Sequence, residues 1–134
     1  MKKWWIGVVL TLPEEGLRDR LELALRMLEN RSYDLLLISG PYKGEIWEEI
    51  GKREDLPKEK ILWEGSSKNL RECIENSMAV LYELKEMVKR VDYVLNLKGM
   101  GRLEERIKKK AEKTGYAKLV KRLHMAGVKF KKRS

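Results

Sequence analysis

The sequence predicts an α/β fold of the three-layer, Rossmann-like kind: a mostly parallel sheet of four to five strands with helices on both faces. Three observations carry that expectation. Short apolar runs rich in β-formers alternate with stretches whose apolar residues recur at three- and four-residue steps, four times in succession. The helical stretches, roughly 10–20 residues each, are long enough to act as the crossovers that parallel strands require. The first run, Trp4 to Leu12, is apolar at nearly every position, as in a strand covered on both faces.

At 134 residues the chain suits a single domain able to bury a substantial core. The α/β pattern covers about residues 4–115, and a basic segment, 116–134, follows. Met1-Lys-Lys ahead of the first apolar run imitates a leader peptide. The run is too short to span a bilayer and no small-x-small cleavage pattern follows, so a buried strand is expected, in a cytoplasmic protein without a membrane span.

Pro13 ends the first strand, and Glu14-Glu15 are acidic residues suited to the first turn of a helix. Leu17, Leu21, Ala24, Leu25 and Leu28 fall on one face of that helix. Tyr33 to Ser39 reads as the second strand, stopped by Gly40-Pro41. A shorter helix over Glu45 to Arg53 turns Ile46, Trp47 and Ile50 inward. Leu56-Pro57 breaks the chain before a third strand, Ile61 to Glu64. From Asn69 an amphipathic helix carries Leu70, Ile74, Ser77, Met78, Leu81, Leu84 and Val88 on one face. Val91 to Leu97 is the fourth strand. A basic helix with Leu103, Ile107 and Ala111 inward follows, closed by Gly115. Tyr116 to Phe130 is compatible with a strand then a helix, or the reverse, and 129–134 is a basic tail.

Charge is unevenly placed. The chain holds 30 Lys plus Arg against 21 Asp plus Glu, a net +9. Residues 98–134 contain 14 of the basic residues and three acidic ones, so this end supplies the whole excess. A basic interaction module for nucleic acid or an acidic partner is therefore an alternative reading. Against it, consecutive Lys108-Lys109-Lys110 spread around a helix, and no nucleic-acid motif accompanies them. Glutamine is absent while Lys, Arg and Glu abound, a usage resembling that of thermophile proteins with surface charge networks.

In an open α/β sheet the turns after the strands gather along one edge, where ligands bind. Four turns should meet there: 11–13, 39–41, 64–68 and 96–101. Glu64-Gly-Ser66-Ser67-Lys-Asn69 feeds a strand into a helix start, whose backbone N–H groups favour anions. Asn69 with Glu72 three residues on equally forms a capping box that needs no ligand. Glu64 suits a ligand hydroxyl or amine, or a pairing with Lys68. Ser66 and Ser67 serve a turn as readily as a site. Gly99-x-Gly101 reproduces half of a dinucleotide fingerprint, with Glu104 where the third glycine belongs. Lys98 and Arg102 flank it and suit a phosphate or carboxylate. Cys73 sits beside an apolar helix face and reads as packing, and one histidine, His124, makes no metal site alone.

These motifs, in this order, resemble the SanA/YdcF-like domain-of-unknown-function family over about residues 6–115. That family's third turn reads Glu-x-x-Ser-x-Asn-Thr-x-Glu-Asn. Glu64, Ser67, Asn69 and Glu72 match it, with Leu70 and Cys73 where Thr and Asn are usual. Arg20-Leu21 with Ala24 matches Arg-Leu-x-x-Ala, Ser39-Gly40-Pro41 stands for Ser-Gly-Gly, and Pro57-Lys-Glu59-Lys-Ile61 for Pro-x-Glu-x-Ile. The first turn, Thr11-Leu12-Pro13, departs from the family's glycine-rich loop. Arg102 fits the family's Arg after the fourth strand, but Gly99 stands where its His belongs, so no catalytic role carries over. The resemblance implies a Rossmann-like fold and admits an S-adenosylmethionine-like or other nucleotide ligand. Together, residues and resemblance predict a small anionic or nucleotide-like ligand held by Ser39, Gly40, Glu64, Ser66, Ser67, Asn69, Lys98, Gly99 and Arg102.

Overall fold

The computed structural model describes residues 3–41, 44–113 and 121–128. Five strands, β1 (Trp4–Leu10), β2 (Leu35–Ser39), β3 (Ile61–Glu64), β4 (Val88–Asn96) and β5 (Leu123–Val128), form one sheet. Its order is β3-β2-β1-β4-β5 and every pairing is parallel. Four helices connect them: α1 (Leu17–Glu29), α2 (Gly44–Gly51), α3 (Leu70–Glu83) and α4 (Met100–Lys113). The alternation read from the sequence is thus a Rossmann-like α/β fold.

Side chains alternate across the sheet, so each strand feeds two cores. On one face Ile6, Val8, Leu10, Leu37 and Tyr93 pack beneath Cys73, Ile74, Met78 and Leu81 of α3 and Ile107 and Ala111 of α4. On the other, Val9, Leu36, Ile38 and Val94 pack against Leu21, Ala24, Leu25 and Leu28 of α1 and Ile46 and Ile50 of α2. Arg53 fastens these last two helices, pairing with Glu29, with Glu22 at 2.5 Å and with Glu49 at 3.4 Å. Gly7 lets the Tyr33 ring lie on β1, since a Cβ there would stand 2.3 Å from the ring. Among the described residues no helix is long and apolar enough to cross a membrane.

Four local expectations change. Glu14 and Glu15 precede the first helix, which starts at Leu17 behind Gly16 (φ 79°), because the carbonyls of Pro13 and Glu15 are drawn inward to Arg20. Trp47 is 37% exposed: Ile46 and Ile50 share the inward face, and residue 47 lies about 100° off it, against Trp63 on the sheet rim (centroids 5.4 Å apart). Val88 begins β4 rather than ending α3, which stops at Glu83 ahead of a 3₁₀ turn over Lys85–Met87. A buried valine fits either element, so spacing could not separate them. Leu123–Val128 is a strand reaching past Gly127, while Gly115, the rest of 114–120 and the 129–134 tail lie outside the described residues.

Candidate functional site

The predicted residues divide into two groups. The ends of β3 and β4 stand three strand spacings apart in the sheet order, roughly 14 Å at ~4.8 Å each. Ser39, Gly40, Glu64, Ser66 and Ser67 come together at the β2–β3 end; Lys98 and Gly99 lie at the β1–β4 end. Arg102 is exposed on α4, and Asn69 is exposed at the start of α3. Thr11, fully buried at the end of β1, fills the space between: its N–H donates to Ser39 O (2.9 Å), and its side chain packs on Gly40.

In the β2–β3 group Glu64 is the hub. Its carboxylate accepts from Ser39 Oγ (2.8 Å), Ser66 N (2.9 Å), Ser66 Oγ (2.5 Å) and Ser67 Oγ (2.6 Å). Asn76 Nδ2 in turn donates to Ser67 Oγ at 2.8 Å. The partners are serines and a backbone amide rather than Lys68. Burial alone would raise the Glu64 pKa, but these donors outweigh it and hold it below the usual carboxylate value. With four donors engaged, the carboxylate acts as the tie of its own turn.

The start of α3 is closed in the same local way. Glu72 N donates to Asn69 Oδ1 (2.9 Å), and Glu72 Oε1 accepts from Lys68 N (2.8 Å). The capping box foreseen from the sequence is therefore formed, and it occupies amides that an anion would otherwise use. Beside it Cys73 is fully buried, its thiol pushed up to about 11 by burial first and the Glu64 charge second, which removes it as a nucleophile at neutral pH. Glu64→Gln tests the hub. Because the folded pKa is depressed, the stabilisation is complete above the ordinary value of 4.5 and lost as pH falls through the folded value. Urea unfolding should show the variant ~1–2 kcal/mol weaker at neutral pH, the gap narrowing under acid conditions; a gap that widens in acid contradicts the assignment.

The β1–β4 end is different. The chain leaves β1 towards α1 on one face and β4 towards α4 on the other, so this is the sheet's topological switch point. A cleft of about 280 Å³ opens there. Leu10, Leu12, Pro13, Leu95 and Leu103 form its apolar wall, and Arg20, Asn96, Lys98 and Glu15 its polar one. Arg20 is 2% exposed. Its guanidinium donates to the carbonyls of Leu10 (2.9 Å), Pro13 (2.6 Å) and Glu15 (3.0 Å) and to Asn96 Oδ1 (2.6 Å). Every one of these acceptors is uncharged. Burial lowers its pKa to about 10.

No family model matches this chain, and no curated protein matches it either. The site rests on its own geometry.

Among the sequence candidates only Lys98 and Gly99 line the switch-point cleft. Arg20, Asn96 and the leucines lie outside the set of site residues that the sequence predicts. Arg20 did carry a signal: with Leu17, Leu21 and Ala24 it occupies the inward stripe of α1, where a charge is out of place without a task. Asn96 gave none, since its role depends on Gly16, whose carbonyl accepts from Asn96 Nδ2 at 3.3 Å across 80 residues of chain. His124 is exposed on β5 and pairs in register with Asp92, four residues below the strand ends. Among the described residues no three His, Cys, Asp or Glu side chains converge as a metal site.

Proposed function

We propose that this chain is a ligand-binding Rossmann-like domain, a divergent relative of the SanA/YdcF-like family, that takes a small anionic molecule in the cleft between β1 and β4. The observation carrying this reading is Arg20: a buried cation whose four hydrogen-bond acceptors are all uncharged, at the position where open parallel sheets bind ligands. Its hydrogen bonds are taken by carbonyls, and with Lys98 it sets two cations against one carboxylate, Glu15, in the polar wall, a balance that favours a negative group. Lys98 stands at the mouth, and the start of α4 adds the positive end of a helix dipole beside it.

Size limits the ligand. About 280 Å³ is just below the usual ~300–1,000 Å³ range of ligand pockets. A compact anion with a short apolar body fits; a nucleotide or S-adenosylmethionine-like compound enters with one moiety and leaves the rest outside. The leucine wall favours a ligand whose uncharged part is apolar. A cytoplasmic setting accompanies this reading.

The test is a thermal-shift and calorimetric series with pyrophosphate, ADP, S-adenosylmethionine and short-chain carboxylates. Binding should weaken ~10-fold in Lys98→Glu, a reversal of charge at the mouth equivalent to ~1.4 kcal/mol. It should vanish in Leu103→Trp, where the indole occupies the cleft. A ligand whose affinity neither variant alters binds elsewhere and overturns the proposal.

A further inference from the structure

The outer surface of α3 and α4 carries a second feature that shares no residue with the switch-point cleft. A trough of about 520 Å³ runs between the two helices, lined by Arg71, Arg106, Lys109, Lys110 and Lys113, with Ile74 and Glu112. On α4 the positions 106, 109, 110 and 113 are i, i+3, i+4 and i+7, a single helical stripe. The exposed Arg102, four residues earlier, continues it, so the row covers about 16 Å of helix, about three turns, each carrying at least one cation. Sequence adjacency obscured this. Lys108 turns away to Glu104 (3.4 Å), whereas Lys109 and Lys110 join residues a turn on either side.

The row is not balanced locally. Glu75 of α3 pairs with Lys110 (2.8 Å) and lies 4.0 Å from Arg71, and Glu112 is the other carboxylate beside the trough. Among the described residues, five cations therefore line the trough with Glu112 and with Glu75 beside it. Like charges held side by side repel, and a polyanion relieves that repulsion while releasing its own counterions.

We infer that this trough holds the phosphodiester backbone of a single-stranded nucleic acid. Three properties of the surface select that occupant. The cations recur at helical-turn intervals along a rigid element, matching a ligand that offers one anion per repeating unit. The two walls come from α3 and α4, tied by Glu75 and Lys110 (2.8 Å), so the cations line a groove that a single chain can follow. Among the described residues the lining includes one apolar residue, Ile74, and no aromatic side chain, so it differs from the apolar face of a membrane-surface helix and engages backbone charge rather than bases. Recognition here is of backbone charge, independent of sequence.

Fluorescence anisotropy with a labelled oligouridylate tests it, with oligodeoxythymidylate, a duplex of equal charge and polyglutamate as competitors. The full chain should bind both single strands, and affinity should fall by about 30-fold between 50 and 200 mM salt, the response of three to four phosphate contacts at ~0.7 each. Arg106→Glu/Lys109→Glu/Lys113→Glu should lose binding at least ~10-fold, and the matching glutamine triple should lose an intermediate amount. Lys52→Glu/Lys58→Glu/Lys60→Glu changes net charge equally but lies away from the trough, and should stay within about twofold. Equal losses in the two glutamate triples would reduce the effect to net charge and overturn the inference. Polyglutamate or duplex competing as well as the single strand would assign the trough to another polyanion, and absence of binding at 50 mM salt would end the proposal.

Discussion

Arg20→Met is expected to lower unfolding free energy by ~2–4 kcal/mol, the cost of leaving buried uncharged acceptors without their donor. The guanidinium holds four acceptors from three places in the chain: the end of β1 (Leu10), the turn after it (Pro13 and Glu15) and the end of β4 (Asn96). Methionine fills similar volume but donates nothing, so each acceptor must find water or remain unpaired. Arg20→Lys keeps the charge without the planar fork and should fall between the two. Arg18→Met, on the exposed side of the same helix, should stay within ~0.5 kcal/mol. Urea unfolding of the set provides the comparison. If Arg20→Met proves as mild as Arg18→Met, Arg20 does not organise the switch point.

Gly40→Ala is expected to cost ~3 kcal/mol or more, for two separable reasons. The residue sits at φ 137°, where a side chain is strained by ~1–3 kcal/mol. A Cβ there would also meet Thr11 Oγ1 at 1.9 Å, Thr11 Cβ at 3.0 Å and Cys73 Sγ at 3.1 Å. These are buried atoms with little room to retreat, and such overpacking costs a further ~1–3 kcal/mol. Thr11→Ala removes the nearest of them, a hydroxyl that is buried without a hydrogen-bond partner among the described residues. In the double variant the collision should be largely relieved while the backbone strain persists, a coupling of ~1–2 kcal/mol in a double-mutant cycle. Gly51→Ala meets nothing within 4 Å and should be neutral or stabilising. Strict additivity of the Thr11 and Gly40 changes would show that they do not touch.

The sequence by itself determined the alternation of strands and helices, the inward faces of α1, α3 and α4, and the closing of the α3 start by Asn69 and Glu72. Each is written in residues within one or two turns of one another, where side-chain spacing and local hydrogen bonds decide the outcome. It also marked Glu64, Ser66 and Ser67 as a cluster, though not that the three would satisfy one another, with Ser39 joining from the neighbouring strand. What only the tertiary structure decided was how far apart the four turns stand. Placing β1 between β2 and β4 sets the β3 and β4 turns on separate stretches of the edge and opens the cleft at Arg20. It also lays Arg71 opposite the cationic row of α4. Strand order follows from which apolar faces pack together across the whole chain, and no short-range pattern encodes it.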